Sequence, residues 1–184
     1  MPLKLLSHKL ATLMTLLSAS RVNYIASLSV KAMKVSQNQC LFYPTKLLKH
    51  SRPSYLGKPL CFKSYTPASR LCVIAALLEY LNRRKALTTE SQLFVSFVKP
   101  HKPVHKDTVA RWLKNVLLWS GIDTSIFTAH SYRSASTCKA NSSNIPITDI
   151  LKQGQWTTEK TWMTYYHKPQ HSCNTSYAEG ILHQ

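Results

Sequence analysis

The sequence predicts a mostly helical α+β domain with one small antiparallel sheet. Three observations carry this. Apolar residues recur at three- and four-residue spacing in several stretches. One pair of short apolar runs, separated by a turn-forming segment, reads as a β-hairpin. The last third is a string of short helices punctuated by Pro, Gly and Ser.

In "MPLKLLSHKLATLMTLLSASR", Leu6, Leu10, Leu13, Met14 and Leu17 repeat at helical spacing, which predicts a core helix. The same stretch has Lys flanks and a small-residue end, the pattern of a secretory leader cleaved near Ala19. Such cleavage would leave Arg21 at the new terminus. "SRVNYIASLSV" follows as a second short helix with Arg21 in its first turn. "LFYPTKLLKHSRPSYLGKPLCF" reads as strands Leu41–Leu48 and Lys58–Phe62, although Pro44 disfavours a central strand. "SRLCVIAALLEYLNRRK" is an apolar helix with a basic end, and "QLFVSFV" a strand or extended piece. Asp107 is placed to cap a helix whose Val109, Trp112, Leu113, Val116 and Leu117 share a face, and Gly121 ends it. Three short helices complete the domain: "TAHSYRSASTCKA", "IPITDILKQG" between Pro146 and Gly154, and "TTEKTWMTYYHK".

The chain has 184 residues, enough for one domain with a real core. Its 24 Lys and Arg against 7 Asp and Glu give a formal charge of +17. The first acidic residue is Glu79, whereas basic residues run from Lys4 through Arg70. An acid-free basic half is the footprint expected for a phosphate backbone. A solubilising surface, an anionic membrane or an acidic protein partner is the blander explanation. Cys40, Cys61, Cys72, Cys138 and Cys173 are odd in number without a C-x-x-C pair, which argues against a disulfide framework or zinc finger. His101, His105, His167 and His171 lack metal-ligand spacing. No apolar run is long enough to span a bilayer.

The segment "IFTAHSYRSASTCK" sets His130 and Arg133 three apart among small residues. On a helix they share a face and can converge on one anion with several oxygens. A basic cluster, Arg83, Arg84 and Lys85, reads as a phosphate contact or a solvated helix end, and Arg52 as a DNA contact.

Taken in order, His130-x-x-Arg133, "ILKQGQW" ending at Trp156, and the following tyrosine pair resemble the C-terminal signature of the tyrosine recombinases, the phage-integrase superfamily. "LLSASRVNYIASL" resembles that family's first-arginine box and "TKLLKHSRP" its lysine-bearing hairpin. "ITDILKQGQW" and "TWMTYYHKP" are nearest to the eukaryotic DIRS-like and Crypton-like mobile-element branch.

The resemblance implies DNA strand cleavage and rejoining through a covalent 3′-phosphotyrosine, with no metal and no cofactor. Arg21 and Arg133 would clamp the scissile phosphate, since a guanidinium presents paired donors and stays charged. Lys49, with Lys46 as the alternative, would protonate the departing 5′ oxygen. His130 would take or share the nucleophile's proton, and the Trp156 indole would donate to the phosphate. Spacing from Trp156 favours Tyr165 as nucleophile, whereas the "YxKP" ending favours Tyr166. Tyr24 stands where many bacterial members carry an acidic residue.

By this resemblance residues 1–169 form the catalytic domain, without the DNA-clamping domain that precedes it in full recombinases, and 170–184 a tail. The implied partners are double-stranded DNA and further copies of the chain in a tetramer exchanging residues after Pro169, with no membrane. The implied location is the nucleus. The rival expectation is a DNA-binding remnant without strand transfer.

Overall fold

A computed structural model describes residues 1–47 and 56–168. Among the described residues the α-helices and β-strands are, in order, α1 (Leu3–Ser18), α2 (Val22–Ala26), β1 (Met33–Val35), β2 (Gln39–Phe42), β3 (Leu60–Lys63), α3 (Val73–Lys85), α4 (Lys106–Trp119), α5 (Ser131–Ser142), α6 (Ile147–Gly154) and α7 (Glu159–Tyr165). Among the described residues the domain is therefore mostly helical with one small sheet, as the sequence predicts.

Helix α1 is the hub. Leu10, Ala11 and Met14 are fully buried, and the helix packs against α3, α4, α5 and β3. Leu17 is the exception to the apolar face and is exposed. Truncating a residue such as Leu10 to alanine would cost about 2–5 kcal/mol. Helix α4 buries Val109, Trp112, Leu113 and Leu117. It ends at Gly121, whose φ of +73° suits glycine. Ile122 N–H bonds the Leu117 carbonyl and Gly121 N–H the Leu118 carbonyl, a double closure that satisfies the last turn.

The sheet runs in the order β1-β2-β3, antiparallel throughout. Met33 pairs with Phe42, and Phe42 with Leu60. Cys40, Phe42, Leu60 and Phe62 turn inward, with the Phe42 and Phe62 rings edge to face. Burial, reinforced by Cys61, pushes the Cys40 thiol up to about 12, as for an inert core thiol.

Two expectations need correction, one strand was not expected, and one alternative is decided. The first hairpin strand ends at Phe42, not Leu48, because Pro44 cannot donate to a ladder. A further strand, Met33–Val35, extends the sheet. Asp107 lies in the first turn of α4 and accepts from His105 Nδ1 at 2.9 Å, while His105 is the capping residue. Of the two readings of "QLFVSFV", the extended piece holds: it joins no sheet and makes only the isolated bridges Ser29 to Gln92 and Val95 to Pro103.

A second, smaller apolar cluster gathers Ile150, Trp156, Trp162 and Tyr166, drawn from α6, α7 and the residues that end them. No helix among the described residues is long and apolar enough to cross a membrane.

Candidate active site

The site forms where the ends of five helices, α1, α2, α5, α6 and α7, meet. α5 is anchored by Tyr132, whose hydroxyl donates to the Leu113 carbonyl on α4 at 3.0 Å. That bond fixes the direction of the neighbouring Arg133. His130 is the capping residue of α5, so it and Arg133 project from the same first turn.

Arg133 is buried, only 3% exposed. Its Nη1 donates to the Ala19 carbonyl and its Nη2 to the Gly154 carbonyl, the latter at 2.6 Å. Ala19 caps α1 in the left-handed region (φ 48°), and Gly154 is the last residue of α6, whose cap Gln155 is also left-handed (φ 56°). The guanidinium thus bridges two helix C-termini, where carbonyls lack helical partners and the dipole favours a cation. This is how the fold tolerates a buried charge.

The guanidinium carbon lies 3.9 Å from the centre of the Trp156 ring and 4.9 Å from that of Tyr166. The Trp156 and Tyr166 rings are 4.7 Å apart, and the His130 and Tyr166 rings 5.5 Å. Four of the residues singled out in the sequence therefore meet in one cluster. Arg21 joins them: it caps α2 just beyond Ala19, and its charge acts on both His130 and Arg133.

Burial, then the Arg21 charge, lower the Arg133 pKa to about 10 against the opposing, raising influence of Tyr166, so it stays cationic at neutral pH. His130 is held below the ordinary imidazole value by partial burial, then by Arg133 and Arg21. It is therefore neutral at pH 7 and able to accept a proton. Among the described residues, Arg133 Nε and Trp156 Nε1 are buried without a hydrogen-bond partner. These are donors at the same cluster, suited to an anionic oxygen.

The tyrosine pair divides at the end of α7. Tyr166, four residues after the buried Trp162, is 8% exposed and faces the cluster; Tyr165 is 68% exposed and faces outward. Tyr24 is buried, and its hydroxyl donates to the Lys58 carbonyl at 3.0 Å, tying α2 to the entry of β3.

Lys46 lies in an exposed loop beyond β2. Lys49 and Arg52 lie outside the described residues. Arg83 pairs with Glu79 at one helical turn and donates to the Met1 carbonyl. Lys85 is exposed. Arg84 departs from its expected role as a phosphate contact. It is 5% exposed and donates to the carbonyls of Glu90, Gln92 and Leu93, so it braces the 90–93 loop from within. Its place follows from spacing, since Leu77, Tyr80 and Arg84 fall on one buried helix face.

The sequence marks Gly154 as a helix stop, and in the structure it does more. A Cβ there would fall inside the Trp156 ring. Only glycine lets Trp156 fold back onto Arg133, and the signal for this was the close Gly-x-Trp spacing.

The Phage integrase family profile matches residues 3–171. No curated protein matches by sequence. Among solved structures, the chain superposes on XerH site-specific recombinase bound to difH substrate in a pre-cleavage complex, with a TM-score of 0.67 and 13% identity over 96% of this chain and 45% of that one. XerA recombinase gives 0.66 and 17% over 97% and 60%. A lambda integrase (75–356) dimer bound to a COC′ core site gives 0.57 and 15% over 90% and 53%. The chain spans about half the length of these structures, and at such identities the likeness is one of fold. With the family profile covering nearly the whole chain and the tyrosine-recombinase catalytic fold reproduced, the chain belongs to the phage integrase family.

Proposed function

We propose that the chain carries out site-specific DNA strand cleavage and rejoining, with Tyr166 as nucleophile. The observation that carries this is the packing of the Tyr166 ring within 5.5 Å of His130 and against Trp156 and Arg133, while Tyr165 points away.

In this reading neutral His130 takes the phenol proton, and the phenolate oxygen attacks phosphorus. The new bond joins Tyr166 to the 3′ phosphate as the bond from phosphorus to the 5′ oxygen breaks. Lys49, or Lys46, supplies the proton that the departing 5′ oxygen needs. The reverse attack by a 5′ hydroxyl rejoins the strand and frees the tyrosine, so the scheme conserves bond energy without an added reactant.

Arg133 stabilises charge on the non-bridging oxygens. Its two terminal nitrogens each hold a carbonyl, which leaves Nε–H and one hydrogen on each terminal nitrogen for the phosphate. Trp156 Nε1 and Arg21 complete the cradle. Lys85 and the other exposed lysines and arginines supply the salt-sensitive attraction to duplex DNA. Self-association as a tetramer on DNA, with exchange of residues after Pro169, and nuclear residence in a mobile element belong to the same proposal. "TWMTYYHKP" supports the mobile-element reading.

A second reading, a DNA binder without strand transfer, is favoured by one observation: both terminal nitrogens of Arg133 are engaged by backbone carbonyls. A nicked duplex built from the DNA flanking the coding sequence separates the two. The purified chain should give a covalent protein–DNA band on a denaturing gel that Tyr166→Phe abolishes and Tyr165→Phe retains. Salt-sensitive binding without any covalent band would establish the second reading.

A further inference from the structure

We propose that Cys138 is a positioning residue for Tyr166, acting on the backbone that leaves α7. The proposal rests on the strand-cleaving role of Tyr166 given above.

Tyr166 lies at the point where helical support ends. Its N–H bonds the Trp162 carbonyl at 2.9 Å, and the next amide, His167, shares that carbonyl at 3.0 Å. Beyond them the chain is held by a side chain of another helix. The Cys138 thiol donates to the Tyr166 carbonyl at 3.2 Å, and the Lys168 N–H donates to the same sulfur at 3.2 Å. One thiol fills both roles, since it is a donor through S–H and an acceptor through sulfur.

Cys138 sits on α5, the helix that also presents His130 and Arg133. The ring of Tyr166 rests on the first turn of α5, and its backbone is tied further along the same helix. A single rigid element thereby fixes both ends of the residue. The distance from the phenol to His130 and Arg133 is held by α5 on the carbonyl side of Tyr166, as α7 holds it on the amide side.

The tether predicts a split between binding and chemistry. Cys138→Ala removes the donor and acceptor without touching any group that faces the phosphate. DNA affinity and melting temperature should stay at wild-type values. The first-order rate of covalent adduct formation at saturating DNA should fall by about ten- to a hundredfold, the scale of an ångström-sized misplacement. Cys138→Ser keeps a group that donates and accepts, and should recover most of that rate. Amide exchange at Lys168 should quicken in the alanine variant and return toward wild type in the serine variant.

A wild-type adduct rate with unchanged Lys168 protection in Cys138→Ala would overturn the proposal. So would equal loss of rate in both variants, or a parallel loss of DNA affinity, which would mark a folding role. If the wild-type chain forms no adduct, the strand-cleaving reading fails on its own. Lys168 exchange then decides the tether: faster in alanine but not serine upholds it, and unchanged in both overturns it.

Discussion

Replacing Gly154 by alanine sets two effects against each other. Gly154 is the last residue of α6 with ordinary helical backbone, so alanine would gain about 1 kcal/mol from helix propensity. Against that, the new methyl would occupy the space of the Trp156 ring. The ring cannot slide aside, because Arg133 stacks on it at 3.9 Å and Tyr166 packs against it at 4.7 Å. Expelling the indole forfeits about 1.5–3 kcal/mol of burial and about 0.5–2 kcal/mol of cation–π attraction. The net expectation is a loss of about 1–4 kcal/mol. That is a fall in melting temperature of about 2–16 °C, at about 2–4 °C per kcal/mol for a domain of this size. The assay is thermal unfolding together with adduct formation, which should fall to background while DNA binding persists. A variant as stable as wild type, with adduct formation intact, would refute the claim that Trp156 is packed over Gly154.

Other consequences are equally specific. His8 is buried among Phe97, Trp112 and Trp119, and its Nδ1 donates to the Lys4 carbonyl at 2.6 Å; burial lowers its pKa below 6.5. The unfolded chain takes up that proton first, so stability present above about pH 6.5 is lost as pH falls from there through the lower folded value. Denaturant unfolding at pH 7.5 and 5.5 should show a smaller difference for His8→Phe than for wild type, and an identical difference would contradict this. Arg133→Lys should cut adduct formation by about a hundredfold or more, because one ammonium cannot hold the Ala19 and Gly154 carbonyls and still fork onto a phosphate; rates near wild type would count against the bridge. Arg84→Ala should destabilise the fold by about 3 kcal/mol without changing DNA affinity, whereas Lys85→Ala should leave stability alone and reduce the salt slope of binding by about one. Unfolding curves and filter binding at several salt concentrations test both.

What the sequence made legible was periodic. α1 and α4 announced themselves through apolar residues three and four apart, and Gly121 marked a helix end that needs a positive φ. The β2–β3 pairing was visible in its apolar runs, but its limit was not, because a proline competes with strand propensity in a way that only the paired backbone decides. Met33–Val35 was missed, being too short and half polar to show alternation. Arg84 was hidden by its neighbours: a run of charges suggests solvent, and only the Leu77, Tyr80, Arg84 spacing shows which member turns inward. In the site, the His130 and Arg133 pairing followed from helix geometry. The separation of Tyr165 from Tyr166 depended on where α7 ends, although the four-residue step from Trp162 to Tyr166 carried a hint. The carbonyls that hold Arg133 come from backbone and leave no mark in residue identity.

The central claim concerns one phenol oxygen. The chain should be trapped on a nicked duplex, digested with nuclease and protease, and the nucleotide-bearing peptide fragmented by mass spectrometry. The phosphonucleotide is expected on Tyr166, in the peptide that begins after Lys160. A modification on Tyr165, or on any residue outside that peptide, would contradict the account.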